Sequence, residues 1–230
     1  MSTPIVSAAL PVNELFETIQ GEGVFTGAPA IFLRLQGCPV GCPWCDTQHT
    51  WHKNDSEQLN ASDVLVKTSA SAGWASMTPA QILTTIQKNG WKAKHVVITG
   101  GEPCMYDLLE LTSLLQRAGY QTQIETSGTF AVYVHADTWV TVSPKIDMPG
   151  GSEILAQAMQ RANEIKHPIA MQKHIDELDQ LLAEHKLQAN VVIALQPISQ
   201  KPRATELAIE TCRARNWRLS VQLHKYLSID

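Results

Sequence analysis

Three cysteines, Cys38, Cys42 and Cys45, stand within eight residues in the segment Cys38-Pro-Val-Gly-Cys42-Pro-Trp44-Cys45. Thiols this close suit a shared metal better than disulfides, and the odd total of five cysteines points the same way. A structural zinc ion takes four ligands, and His49 and His52 follow near enough to complete such a set. An iron–sulfur cluster held by three thiolates instead keeps one iron open to a small molecule. The three residues by themselves are compatible with both.

Further along, Val96-Val97-Ile98-Thr99-Gly100-Gly101-Glu102-Pro103 reads as an apolar strand ending in a double glycine and an acid. The carbonyls and carboxylate of such a turn can receive a cationic amino group. Glu125-Thr126-Ser127-Gly128 and Ser143-Pro144-Lys145 each close a short expected strand with hydroxyl and charged groups that could cradle a ribose or a substrate, and Gln196-Pro197-Ile198-Ser199 occupies an equivalent place. Ordinary turn chemistry accounts for any one of these. Their recurrence after successive strands marks a shared face.

The spacing C-x3-C-x-φ-C with an aromatic φ, here Cys38, Cys42, Trp44 and Cys45, resembles the signature of the radical S-adenosylmethionine superfamily. That resemblance implies one [4Fe-4S] cluster on the three cysteines, whose open iron chelates S-adenosyl-L-methionine, with Gly100, Gly101 and Glu102 at the methionyl ammonium. Asn13-Glu14-Leu15-Phe16-Glu17-Thr18-Ile19-Gln20-Gly21-Glu22-Gly23, Phe32-Leu33-Arg34-Leu35-Gln36-Gly37-Cys38, Cys45-Asp46-Thr47, Thr99 to Pro103 and Val142-Ser143-Pro144-Lys145 are together similar to the 7-carboxy-7-deazaguanine synthase family of the queuosine pathway. The similarity runs from about Pro11 to the C-terminus, and residues 1–10 have no counterpart.

The family resemblance implies a lyase that converts 6-carboxy-5,6,7,8-tetrahydropterin to 7-carboxy-7-deazaguanine with loss of ammonia. It also implies a Mg2+ ion beside the pterin, an electron donor such as flavodoxin or ferredoxin, and a homodimer. By the same resemblance Ile19, Gln20, Gly21 and Thr99 bind the substrate, and the Thr47 hydroxyl ligates Mg2+, with Asp46 its nearest competitor and a turn hydroxyl the plain alternative. Trp44, Asp46, Ser143, Pro144, Lys145, Gln196 and Ser199 are expected around S-adenosylmethionine. A glycyl-radical-enzyme activase and a non-catalytic zinc-binding module are the other readings, separable by iron, sulfide and zinc analysis.

Arg34 is placed by periodicity as well. Alternation along Ala30 to Gln36 puts Ile31, Leu33 and Leu35 on one face and Phe32, Arg34 and Gln36 on the other. In a barrel the aliphatic face meets the helices, so Arg34 points inward, where it needs an anion: the substrate carboxylate, or Glu14, Glu17 or Glu22.

The elements that must carry these groups alternate. Strands are expected over 30–35, 95–98, 121–125, 139–143, 166–170, 190–195 and 217–223. Helices are expected from a capping box at Thr78-Pro79-Ala80-Gln81 to about residue 89, and over 106–118, 152–165, 174–185 and 203–215. About six strand–helix units fall short of the eight of a complete barrel. The expected fold is therefore α/β, a partial, laterally open (β/α)6-type barrel in one domain over 11–230 after an unpacked extension at 1–10, with a doubly wound sheet as the alternative. Residues 53–77 read as an insertion in a crossover.

Composition bounds the partners. The 230 residues are 44% hydrophobic and 17% charged, as in ordinary globular proteins, and 18 Lys and Arg against 22 Asp and Glu argue against direct nucleic-acid binding. The longest clearly apolar run, 191–195, is far below the roughly 20 residues of a membrane span. No Lys or Arg precedes Arg34, so a basic signal region is lacking and a cytoplasmic location is expected. Cys104 and Cys212 read as buried structural thiols, Arg213, Arg215 and Arg218 as helix-end charges, and His224 as a capping or surface residue near the site mouth.

Overall fold

β1 (Leu10–Ile19) and β2 (Pro29–Leu35) pair antiparallel, and β3 (Ala75–Met77) lies antiparallel against the other side of β1. The computed structural model describes residue 5 and residues 8–65 and 70–227. From β2 onward the strands are parallel: β4 (His95–Gly100), β5 (Gln121–Thr126), β6 (Trp139–Val142), β7 (Glu164–Ile169), β8 (Val192–Pro197) and β9 (Arg218–Leu219). Among the described residues the result is one nine-stranded sheet in the order β3-β1-β2-β4-β5-β6-β7-β8-β9. It ends at β3 on one side and β9 on the other, an open partial barrel as expected.

Helices α1 (Pro79–Lys88), α2 (Leu109–Arg117), α3 (Ala156–Arg161), α4 (Gln172–Glu184) and α5 (Pro202–Arg215) join the parallel strands, and α6 (Leu223–Leu227) ends the described chain. β5 passes to β6 without a helix. Ile31, Leu33 and Leu35 are fully buried with Ile98, Ile124 and Ile165 in the core. The α1 capping box is formed, with Thr78 Oγ1 accepting from the Gln81 N–H at 3.2 Å and Gln81 Oε1 accepting from the Thr78 N–H at 2.8 Å. No described helix is long and apolar enough to cross a membrane.

Several expectations are corrected. β1 went unread because a bulge between Val12 and Glu14 switches the buried apolar positions from Leu10 and Val12 to Leu15, breaking the alternation. The helix expected over 152–165 shrinks to α3, since Ala162 is already extended and Asn163 Oδ1 accepts from the Val140 N–H at 2.9 Å, which starts β7. α2 begins three residues late because the Tyr106 backbone is extended and bridges Ile5. The closing strand shortens to β9 and gives way to α6. The stretch over 53–77 contributes β3 and buries Val64 and Trp74.

Of the expected extension at 1–10, residues 1–4 and 6–7 lie outside the described residues. Ile5 forms a parallel bridge to Tyr106, and Leu10 is already buried in β1.

Candidate active site

A cavity of about 420 Å³ opens at the carboxyl ends of the parallel strands, where open α/β sheets place their ligands. Alternation delivers its walls: Phe32 and Arg34 from β2, Thr99 from β4, Glu125 from β5, Lys166 and Pro168 from β7, and Gln196 from β8 all line it.

The cysteine loop follows β2 directly. Gly37 and Gly41 take positive φ of 105° and 70°, and the Cys45 N–H donates to the Cys42 carbonyl at 3.0 Å, folding the segment back on itself. The double glycine of the β4 turn exists for close approach. A Cβ on Gly101 would lie 2.1 Å from the Gly37 carbonyl oxygen, and one on Gly100 2.5 Å from the Leu35 nitrogen. Only glycines let the end of β4 lie against the start of the cysteine loop.

Cys38, Cys42 and Cys45 all face the cavity as free thiols, whereas neither His49 nor His52 is on its wall. Burial pushes the Cys38 thiol up to about 11, with the Glu102 charge adding to it, and raises Cys42 against the pull of Lys145. Thiolates form there only against a compensating cation, as metal binding supplies. Among the described residues no three potential ligands are already gathered around a single-ion position. Three cavity-facing thiols without the histidines a zinc knuckle would draw on fit a cluster with an open iron.

Glu102 is buried, and its carboxylate is fully engaged by the protein. Oε1 accepts from the Cys104 N–H at 2.9 Å and Thr126 Oγ1 at 2.7 Å, while Oε2 accepts from the Ser127 N–H at 2.7 Å and the Ser127 hydroxyl. These match the roughly four acceptor positions of a carboxylate, so an amino group arriving at this turn meets the backbone carbonyls.

Thr47 precedes the short turn over 48–50 without capping it, since its hydroxyl donates instead to the Gly100 carbonyl at 3.4 Å. Asp46 is exposed, its carboxylate taken by Lys225 at 3.2 Å and Gln222 at 3.2 Å. Ile19, Gln20 and Gly21 are on the wall, and Gln20 Oε1 accepts from the Glu22 N–H at 3.1 Å. Trp44, Thr99, Gln196 and Ser199 line the cavity too, with Ser199 at a positive φ of 52°. Lys145 donates to the Ser143 hydroxyl at 2.6 Å, both on the wall, but Pro144 is buried beneath it and does not face the cavity. Arg34 lines the cavity, and the sheet also supplies the anion it needs: β1–β2 register sets Glu14 opposite it, with Nε 2.9 Å from Glu14 Oε2.

The sequence assigns no role to Lys166 or Gln222, which join Glu125, expected at a polar strand end, and Glu22, expected as a candidate partner of Arg34, in a group of largely buried charges on the same wall. Lys166 lies 2.6 Å from Glu22 Oε2 and 2.9 Å from Glu125 Oε2, and Gln222 donates to Glu22 Oε1 at 3.0 Å. Burial would raise Glu22, but Lys166 and the hydrogen bonds from Lys166 and Gln222 prevail and hold it well below the ordinary carboxylate range. Burial, with the Glu22 and Glu164 charges, pushes Glu125 above that range against the pull of Lys166. Burial disfavours the Lys166 ammonium, yet the two carboxylates outweigh it and keep the group charged. Alternation in Glu164-Ile165-Lys166 was the available signal. His224, set aside as a surface or capping residue, also lines the cavity, packed on Gly21.

Cys104 and Cys212 are buried and do not line the cavity, and Cys212 Sγ donates to the Arg218 carbonyl at 3.1 Å. Arg215 pairs with Asp179 and stacks on Trp217 at 4.7 Å.

Residues 33–164 match the Radical SAM superfamily model. The 7-carboxy-7-deazaguanine synthase of Escherichia coli (strain K12) is 58% identical over 219 residues, spanning 95% of this chain and 98% of that one. The protein of the same name from Buchnera aphidicola subsp. Schizaphis graminum (strain Sg) is 47% identical over 95% of this chain and 98% of its own length. A crystal structure of QueE from Escherichia coli superposes with a TM-score of 0.92 at 57% identity, covering 94% of this chain and 95% of that one. On these measures the chain belongs to the 7-carboxy-7-deazaguanine synthase family of the radical SAM superfamily.

Proposed function

We propose that this protein converts 6-carboxy-5,6,7,8-tetrahydropterin to 7-carboxy-7-deazaguanine with expulsion of ammonia, consuming no substrate other than the pterin and using S-adenosyl-L-methionine as cofactor. The observation that carries this reading is one cavity lined by two unlike sets of groups: three thiols beside a glycine turn, and the polar side chains of Gln20, Glu22, Arg34, Glu125 and Lys166. Its volume of about 420 Å³ lies within the range of small-molecule sites.

When bound, a [4Fe-4S] cluster on Cys38, Cys42 and Cys45 supplies the electron that cleaves S-adenosylmethionine to a 5′-deoxyadenosyl radical. The chain's own groups bind and orient. The turn at Gly100 and Gly101 takes the methionyl ammonium on backbone carbonyls, and Ser143, Lys145, Gln196 and Ser199 surround the rest of that molecule. Lys145 is suited to an anionic group, its ammonium held at the wall by Ser143. Arg34 receives the pterin carboxylate on the part of its guanidinium that Glu14 leaves open. Glu22 and Glu125 accept from the pterin N–H groups, since an ionised carboxylate carries acceptors and no donor. Thr47, with its hydroxyl free of any capping role, offers Mg2+ a hard oxygen that substrate oxygens and water complete.

The resemblance in sequence supports a homodimer, a one-electron donor such as flavodoxin or ferredoxin, a cytoplasmic location and a functional unit over 11–230. Anaerobic turnover with the pterin and S-adenosylmethionine, read by mass spectrometry, tests the activity. Product and ammonia are expected. 5′-Deoxyadenosine formed without any pterin product would overturn the substrate, and one zinc per chain without sulfide would overturn the cluster.

A further inference from the structure

Lys166 reaches the cavity wall from β7 with its side chain 7% exposed, and its ammonium bridges two carboxylates, Glu22 Oε2 at 2.6 Å and Glu125 Oε2 at 2.9 Å. An amide holds the second oxygen of each. Gln222 Nε2 donates to Glu22 Oε1 at 3.0 Å, and Gln123 Nε2 donates to Glu125 Oε1 at 2.9 Å. Gln123 is itself oriented by His95 at 2.7 Å. A continuous chain Gln222–Glu22–Lys166–Glu125–Gln123 therefore crosses the wall, built from the β1–β2 connection, β5, β7 and the segment before α6.

The charges facing this chain come from every side. Glu164, two residues before Lys166 on the same strand face, accepts from Thr141 Oγ1 at 3.1 Å and from the Val24 N–H at 3.1 Å, and its charge bears on Glu125. Lys145 faces Lys166 from the turn after β6, and His224 faces Glu22 from α6. Lys166 is the cation in hydrogen-bonded contact with both carboxylates. Two carboxylates sharing a poorly solvated site cannot both stay ionised without a cation between them.

We propose that Lys166 is a positioning residue of this enzyme, whose ammonium keeps Glu22 and Glu125 ionised together and aligned as one paired acceptor on the substrate wall. The inference rests on the pterin reading above, because a protonated carboxyl presents a donor where the pterin N–H groups need an acceptor. Burial already pushes Glu125 upward with the lysine present, so loss of the cation acts on a group poised to take up a proton.

The test uses cluster-reconstituted enzyme under anaerobic conditions, with pterin binding followed by fluorescence from pH 5.5 to 9 (about the span over which a raised carboxyl titrates). Lys166→Met should move the acid limb of binding upward by about one pH unit or more, weakening affinity about ten-fold below it while the alkaline plateau approaches that of the native protein. Lys166→Arg should restore the native limb, and the cluster spectrum should not change in either variant. If Lys166→Met does not fold, Lys166→Met/Glu125→Gln removes one of the two orphaned charges, leaving Glu22 held by Gln222, and should fold with the acid limb flattened. An acid limb unmoved in Lys166→Met, an unflattened limb in the double variant, or a loss of affinity equal at every pH would overturn the proposal. Failure of the pterin reading is distinct: the native protein would then bind no pterin at any pH. The carboxyl infrared band, titrated in native and Lys166→Met proteins, would still show whether the lysine sets the ionisation.

Discussion

Glu102 and Ser127 tie the ends of two neighbouring parallel strands together, with the Ser127 N–H donating to Glu102 Oε2 at 2.7 Å and the Ser127 hydroxyl donating to the same oxygen. The acid of the Gly-Gly-Glu-Pro turn thereby fixes β4 to β5 at the cavity edge. Glu102→Gln sets an NH2 group among donors, and a buried hydrogen bond to a charged group is worth about 1.5–3 kcal/mol. For a chain of this size the melting temperature should fall by about 3–12 °C. Calorimetry checks it, and an unchanged transition would mean that the turn is held by its glycines alone.

Removal of a thiol tests the donor set. Cys38→Ala, Cys42→Ala and Cys45→Ala should each lose the brown absorbance and S-adenosylmethionine cleavage, because two thiolates retain a cluster poorly. Cys212→Ala should keep its iron, since that thiol is bonded to the Arg218 carbonyl away from the cavity. Iron and sulfide analysis decides, and full cleavage by Cys42→Ala would defeat the assignment.

Thr47→Val removes an oxygen and keeps the shape. The Thr47 N–H that donates to Cys45 Sγ at 3.4 Å belongs to the backbone and survives, so the cluster spectrum should persist. Product formation should drop and lose its Mg2+ dependence. An unaltered Mg2+ titration would return this hydroxyl to a structural role.

Arg34 and Glu14 can be separated by affinity and stability. Arg34→Lys loses the planar fork that a carboxylate takes up, and should weaken pterin binding by about 1.5–3 kcal/mol. Glu14→Gln should lower the melting temperature with pterin affinity near native, because Glu14 engages only the guanidinium Nε at 2.9 Å. Near-native affinity in Arg34→Lys together with a lowered melting temperature would make the pair purely structural.

His167 gives the fold a pH limit. The ring is buried, and burial, helped by the Lys145 charge, lowers its pKa from the ordinary 6.5 to about 4 against the upward pull of the His174 backbone. Between those values the unfolded chain binds the proton that the folded chain refuses. The contribution of this neutral ring to stability is therefore complete above pH 6.5 and is lost progressively as pH falls toward 4. His167→Leu should flatten that loss, measured as the difference in denaturation midpoint between pH 7 and pH 5, values chosen to lie about either side of the unfolded pKa. An equal loss in both proteins would place the acid sensitivity elsewhere.

The cysteine loop, the glycine turn after β4 and the α1 capping box were all legible along the chain, because each depends on sterics and hydrogen bonds among residues a few positions apart. The contiguous apolar runs of β2 and β4 likewise announced parallel strands buried against helices. Arg34 could be placed inside by alternation, but three glutamates were candidates for its partner. The β1–β2 register, with its bulge, selected Glu14. The pairing within the charged wall was not legible: Lys166 meets Glu22 across 144 positions and Glu125 across 41, and Gln222 meets Glu22 across 200. No local pattern encodes such pairs. They form only when the stacking order of the whole sheet brings β1, β5, β7 and the C-terminal segment to one cavity, where burial makes each charge depend on the others.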